Sequence, residues 1–377
     1  MSSYSNNQIS NRTVHAIFWI ETLSYFLQYT FGLSRSMGAV FDFITTSLSL
    51  LCLLNFKFND YSDKWKKKVI ACIAVVLVFS SVYNIDMFGL GSIMTIGRYL
   101  MYSLLISKMY IDIHLRKALL YLLILQLFLL QYVDLSSYNT NTQGLIYLFI
   151  GVFITLLFPK SKKKMFLFGL AIFAFIEWKI YLTDTRTCFI AYFLFFIGCY
   201  FPFNLLRSKL FLISVLLVLT LGSLVYARTY VYLWEENLVD TEVVASTAEE
   251  TGKDLFSGRQ KIWQECFELL EKHPLTGTGS KIKLQSFHVV NLHNSMLNVF
   301  VIYGGIIGLL FVYLVVRSAY ELHPALNIRK ARECMYAFLI FLIIGINETN
   351  LFVFAFLSQL PLMIANSEKL NYQSKNQ

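Results

Sequence analysis

Of 377 residues, 56% are hydrophobic, 16% aromatic and only 15% charged, and the mean hydropathy is +0.58. That balance excludes an ordinary soluble domain and specifies an integral membrane protein. The formal charge of +9 does not point to nucleic acid, because the basic residues fall in short clusters between apolar runs, as they do in cytoplasmic loops.

The chain is polar up to Thr13 and then enters an apolar segment without a small-residue cleavage site, so the first span is expected to be retained. Polar breaks divide the remainder into about twelve candidate helices, each near the roughly 20 residues that cross a hydrocarbon core. They fall at 15–33, 38–56, 69–85, 91–111, 117–134, 144–158, 165–182, 187–203, 210–227, 292–316, 334–347 and 350–366. The expected fold class is all-α, a polytopic bundle of about 12 transmembrane helices with one long extracytoplasmic loop. Residues 1–226 hold helices one to nine, 227–291 the loop, and 292–377 the last three helices and a cytoplasmic tail. The six cysteines form no C-x-x-C pair and imply neither a disulfide framework nor a zinc site.

Alternate loops differ in charge. Lys57 to Lys68, Lys108 to Lys117, Lys160 to Lys164, Arg207 to Lys209 and Arg317 to Arg332 are basic, which assigns them and both termini to the cytoplasm. The stretches at 134–140, 183–186 and 347–349 are nearly free of lysine and belong outside with the long loop. Trp234 and the tyrosines at 226, 230 and 232 suit an interfacial aromatic belt on that side.

Within the loop, Ser257-Gly258-Arg259-Gln260 has the form of a capping box. The run from Ile262 to Leu270 then alternates apolar and acidic faces at helical spacing, so an amphipathic helix is expected near 258–272, lying on the membrane or against the bundle. Pro274 and the Thr276-Gly277-Thr278-Gly279 run end it. Gly277 and Gly279 permit positive φ and a concavity of N–H groups suited to an anion such as a diphosphate, although a plain turn is the simpler reading.

Outer-side arginines are scarce: Arg35, Arg98, Arg186, Arg228 and Arg259 are nearly all of them. Arg259 offers a bidentate fork to phosphate. Arg186 follows Thr183-Asp184-Thr185 at a span boundary, and Arg98 falls inside the fourth span, where a charge is either functional or neutralised by a partner such as Asp86 or Glu177. His293, at the re-entry point, suits proton transfer with a sugar hydroxyl or a hydrogen bond to phosphate. His288 makes a metal pair conceivable, but no third ligand has the spacing, so neither a metal nor a cofactor is expected. Gly304 and Gly308 make a small-x-x-x-small face suited to close helix approach.

Arg259-x-x-x-Trp263, His273-Pro274-x-x-Gly277-x-Gly279, and His293-Asn294 followed by Gly304-Gly305 and Gly308 together resemble the O-antigen ligase and Wzy-type polysaccharide polymerase superfamily of bacteria. Asp184-Thr185-Arg186-Thr187 is similar to the Ser-Arg element of that family, with threonine in place of serine. The motif match spans roughly residues 180–310. The resemblance implies a GT-C-like, metal-independent glycosyltransferase of the cytoplasmic (inner) membrane. Its donor would be a glycan linked through diphosphate to undecaprenol. On that reading Arg98, Arg186 and Arg259 neutralise the diphosphate with help from Gly277 and Gly279, Asn294 contributes to substrate binding, and His293 acts on the acceptor hydroxyl. A flippase and a chain-length regulator are the partner proteins it suggests, beside the lipid bilayer. The short chain favours a polymerase of capsule, exopolysaccharide or O-antigen over an O-antigen ligase or protein O-oligosaccharyltransferase. A transporter is a third class, and no clear internal repeat supports it.

Overall fold

Long apolar runs separated by polar breaks leave the backbone one economical solution in lipid, the α-helix, whose N–H and C=O groups are paired within the segment. The computed structural model describes residues 11–32, 35–54, 61–82, 87–136, 138–158, 163–201, 204–236, 258–279, 284 and 292–375, and among these there is no strand. The helices are α1 (Asn11–Phe31), α2 (Arg35–Leu54), α3 (Tyr61–Val82), α4 (Met87–Leu105), α5 (Ile113–Leu129), α6 (Thr140–Leu157), α7 (Lys163–Leu182), α8 (Arg186–Tyr200) and α9 (Lys209–Glu235). After the loop come α10 (Arg259–Lys272), α11 (Ser295–Tyr320), α12 (Arg329–Gly345), the single turn α13 (Asn350–Val353) and α14 (Ala355–Lys375). Each expected span overlaps helix in the structure, the last of them, 350–366, divided between α13 and α14.

Three of them, α6, α9 and α11, are long and apolar enough to cross a membrane by length and composition. Several starts are fixed by short polar side chains that accept the first unpaired N–H groups. Asp112 accepts from Leu115 N at 2.8 Å, Asn139 from Thr142 N at 2.7 Å and Ser208 from Phe211 N at 3.4 Å.

Helix α6 is buried over most of its length, as are α12 and the first half of α14. These three make the centre, with α12 packed along α14 and against α8, and α6 against α5, α7 and α8. Peripheral helices turn large apolar side chains outward, among them Phe43, Phe128, Leu167, Trp178 and Val218. An outward apolar surface of that extent suits lipid.

Two local expectations are corrected. Helix α9 continues past residue 227 to Glu235, so the tyrosines at 226, 230 and 232 stand on a continuing helix. The cap of α10 is Gly258 in the left-handed conformation, φ 74°, with no side-chain capping bond. Ser257 lies outside the described residues, as do His288 and Asp86.

Candidate active site

The amphipathic pattern of α10 places Ile262, Trp263 and Cys266 inward, and the helix packs on α9 and α11. Trp263 is fully buried, its ring against those of Tyr226 and Tyr230 at centroid distances of 5.9 and 5.1 Å. Those two tyrosines therefore anchor α10, a role beyond that of an aromatic belt. The Trp263 indole donates to the Leu292 carbonyl at 2.8 Å, which ties α10 to the residue before His293. Burial, with Glu265 nearby, pushes the Cys266 thiol up to about 12, so it stays protonated and carries no nucleophilic role.

One turn before Trp263 on the same face, Arg259 reaches out of α10. Its Nη2 donates to Glu348 Oε1 at 3.0 Å. The other carboxylate oxygen, Oε2, lies 3.4 Å from His293 Nδ1. Asn141, in the first turn of α6, donates to Oε1 at 2.8 Å, and the Ser295 hydroxyl donates to the Glu348 backbone carbonyl at 2.7 Å. Glu348 thus gathers three segments that are distant from it in sequence, around Asn141, Arg259 and His293–Ser295. His293 itself holds a φ of 50°, an uncommon conformation for a residue with a Cβ. The Trp263–Leu292 bond on one side and the helix cap on the other hold it there.

Side-chain exposures of 18% for Arg259, 24% for His293 and 11% for Glu348 leave the first two reachable from solvent while the carboxylate lies beneath them. Arg186, the first residue of α8, is exposed. The neighbouring Thr187 hydroxyl accepts from Asn347 Nδ2 at 3.5 Å, so the N-terminus of α8 adjoins the Asn347-Glu348 turn. The arrangement brings Arg186, Arg259 and His293 to one end of the bundle.

The other expected site residues go elsewhere. Asn294 is fully buried, and both ends of its amide are engaged: Oδ1 caps α11 by accepting from Leu297 N at 2.8 Å, and Nδ2 donates to the Ser223 carbonyl at 3.3 Å. These bonds make it the cap of α11. The N–H groups of the Gly277–Gly279 turn are also committed. Gly277 N donates to His273 O at 3.0 Å, Thr278 N to Val301 O at 2.9 Å and Gly279 N to Ile302 O at 2.9 Å. Helix α11 breaks at Gly304, φ 80° and ψ 173°, which releases those two carbonyls. No anion-binding concavity remains at Gly277 and Gly279; the turn clasps α11. Nor do Gly304 and Gly308 form a helix–helix face, since the first meets the Leu275–Gly277 backbone and the second the Phe300 ring of its own helix.

Arg98 is neutralised away from this cluster, by Glu21 and Asp42. Of the two candidate partners named from the sequence, Asp86 lies outside the described residues, and Glu177 has no hydrogen-bond partner for either carboxylate oxygen among them. Among the described residues no group of three or more His, Cys, Asp or Glu is placed to hold a metal ion.

Glu348 is the residue that sequence reasoning missed. The available signal was an acid at a span boundary in the three-residue polar gap Asn347-Glu348-Thr349, a position where a charge is costly unless paired. Asn141 gave no signal beyond belonging to an outer loop.

No curated protein matches the chain. Residues 169–313, which include α8, α9, α10 and most of α11, match the family model described as O-antigen ligase. The matched segment carries Arg186, Arg259 and His293, so the part of the chain that is similar to the O-antigen ligase family is the part that builds this cluster.

Proposed function

We propose that the chain is a polymerase of undecaprenyl-diphosphate-linked oligosaccharide repeat units, acting at the outer face of the bacterial cytoplasmic membrane in capsule, exopolysaccharide or O-antigen biosynthesis. The observation that carries this reading is the convergence of Arg259 and His293 on Glu348 at 3.0 and 3.4 Å. A glycosyl transfer from a lipid diphosphate needs positive charge where the leaving group develops and a base where the acceptor hydroxyl arrives. Arg259 and Arg186 supply the first requirement and His293 the second.

In the proposed reaction the acceptor hydroxyl loses its proton to His293 as its oxygen bonds the anomeric carbon of the donor. The bond from that carbon to the diphosphate oxygen breaks, and its electron pair leaves with the lipid diphosphate. Glu348 engages Nδ1, so the transfer falls to Nε2 on the far side of the ring. Its charge would also stabilise the imidazolium that forms, as a carboxylate does for a catalytic histidine. Donor binding brings a diphosphate into competition with Glu348 for Arg259, and a guanidinium fork can satisfy both. The twelve-span topology, the outward placement of the loop and the flippase and chain-length regulator partners belong to the same proposal.

The test is a glycan ladder from cells lacking this protein and complemented with wild type, Arg259→Ala or His293→Ala at matched expression. Loss of long polymer with accumulation of single repeat units in both variants is expected. Transfer of finished glycan to a core or protein acceptor, with the ladder intact in the deletion strain, would make the chain a ligase. Normal ladders from both variants would remove the catalytic assignment.

A further inference from the structure

A second polar space lies among α1, α2, α4 and the chain that enters α14. It is a cavity of about 170 Å³. Its lining mixes polar side chains, Glu21, Ser24, Gln28, Asp42 and Arg98, with aromatic ones, Tyr25, Tyr29, Phe354 and Phe356. A cavity of roughly 150 Å³ suffices for a six-membered ring.

Arg98 is 4% exposed. Its Nη2 lies 2.7 Å from both oxygens of Glu21, and its Nη1 lies 2.5 Å from Asp42 Oδ1. The Tyr102 hydroxyl also donates to Glu21. With both acids ionised, two negative charges face one positive charge, so the cavity disfavours a diphosphate. Yet Arg98 Nε is buried without an acceptor, and a charged donor left unmet in that way is costly. Carboxylates that accept, a guanidinium N–H that donates and rings that stack are what an uncharged sugar requires. Its hydroxyls both donate and accept, and its C–H face is apolar.

The cavity sits at the same end of the bundle as the Glu348 cluster. The Tyr138 hydroxyl donates to the Gln28 carbonyl at 2.8 Å, and its ring lies 5.8 Å from that of Tyr29. Three residues further along, Asn141 holds Glu348. Phe354 follows Glu348 by six positions and is among the aromatic side chains that line the cavity.

We infer that this cavity is a glycan subsite that holds one uncharged sugar ring of the oligosaccharide whose end reaches His293. The inference rests on the reading that the chain handles such an oligosaccharide. Arg98 and its two acids then select sugar over phosphate, which separates them from the outer arginines. Gln28 and Tyr29 position the ring.

The probe is the oligosaccharide released by mild acid from the producing cells' own polymer, which carries no diphosphate. Its affinity is measured by calorimetry on the purified full-length protein in detergent. Wild type is expected to bind, whereas Gln28→Ala and Tyr29→Leu each bind about tenfold more weakly, the loss of one good contact. The melting temperature without ligand reports whether each variant is folded; Gln28 is only half-buried and lies outside the ion cluster, so it decides the matter if Tyr29→Leu is unstable. No binding by wild type, or equal binding by the cavity variants, overturns the subsite and leaves a hydrated pocket. If Glu348→Gln instead polymerises like wild type while the cavity variants lose binding, the catalytic reading fails and the subsite stands.

Discussion

Gly277 and Gly304 meet backbone to backbone. A Cβ on Gly304 would lie 2.2 Å from the Leu275 carbonyl oxygen and 2.6 Å from Gly277 N, and one on Gly277 would lie 2.4 Å from the Ile302 carbonyl oxygen. Both hold positive φ, 69° and 80°. The break at Gly304 frees the carbonyls that the turn's N–H groups occupy, so the two glycines depend on each other. Gly305 N completes the clasp by donating to Pro274 O at 2.8 Å.

Gly304→Ala should therefore act on stability before it acts on chemistry. The backbone conformation alone costs about 1–3 kcal/mol for a residue with a Cβ, and the contact with Leu275 O adds to it. A fall in Tm of roughly 5 °C or more is expected in detergent. An unchanged Tm would mean that α11 does not need the break.

The clasp also shows how far the sequence was legible. The helices were readable because apolar runs of helical length have few alternatives in lipid, and α10 was readable from its face pattern. The order Arg259, Gly277, Gly279, His293 was visible too, but not the division of labour within it. Whether a glycine turn offers its N–H groups to a ligand depends on a helix break 27 residues later at Gly304, which local spacing does not encode. Glu348 was hidden for a related reason, since its partners are Asn141, Arg259 and His293 and none is near it in sequence. Arg98 was legible as a buried charge, while its acids, on α1 and α2, could only be named once those helices were packed.

Asn294 separates structure from chemistry by substitution. As the cap of α11 it should tolerate Asn294→Ser better than Asn294→Ala. The alanine variant should lose about 1–2 kcal/mol of stability, read as lower Tm and lower membrane yield. Per folded molecule, glycan transfer should stay within a few-fold of wild type in both. A serine variant with wild-type Tm and no turnover would return Asn294 to the substrate-binding set.

Glu348 carries the sharpest expectation. Glu348→Gln keeps the size of the side chain and one carbonyl oxygen for Asn141 or Arg259, but removes the charge that faces His293. If His293 is the base, its orientation and the stability of its protonated form depend on that charge, and the contribution of a general base is typically 10²–10⁴-fold. A fall in kcat of about 10²-fold or more is therefore expected in a donor-turnover assay. KM for the lipid-linked donor should be unchanged or lower, because Arg259 no longer divides its hydrogen bonds between a carboxylate and the diphosphate. Loss of Arg259 in Arg259→Lys should do the reverse, raising KM more than it lowers kcat, since lysine keeps the charge without the fork. A Glu348→Gln enzyme with wild-type kcat would reduce the carboxylate to a structural tie between α6 and α10. Weaker donor binding at unchanged kcat would instead make it part of the diphosphate site.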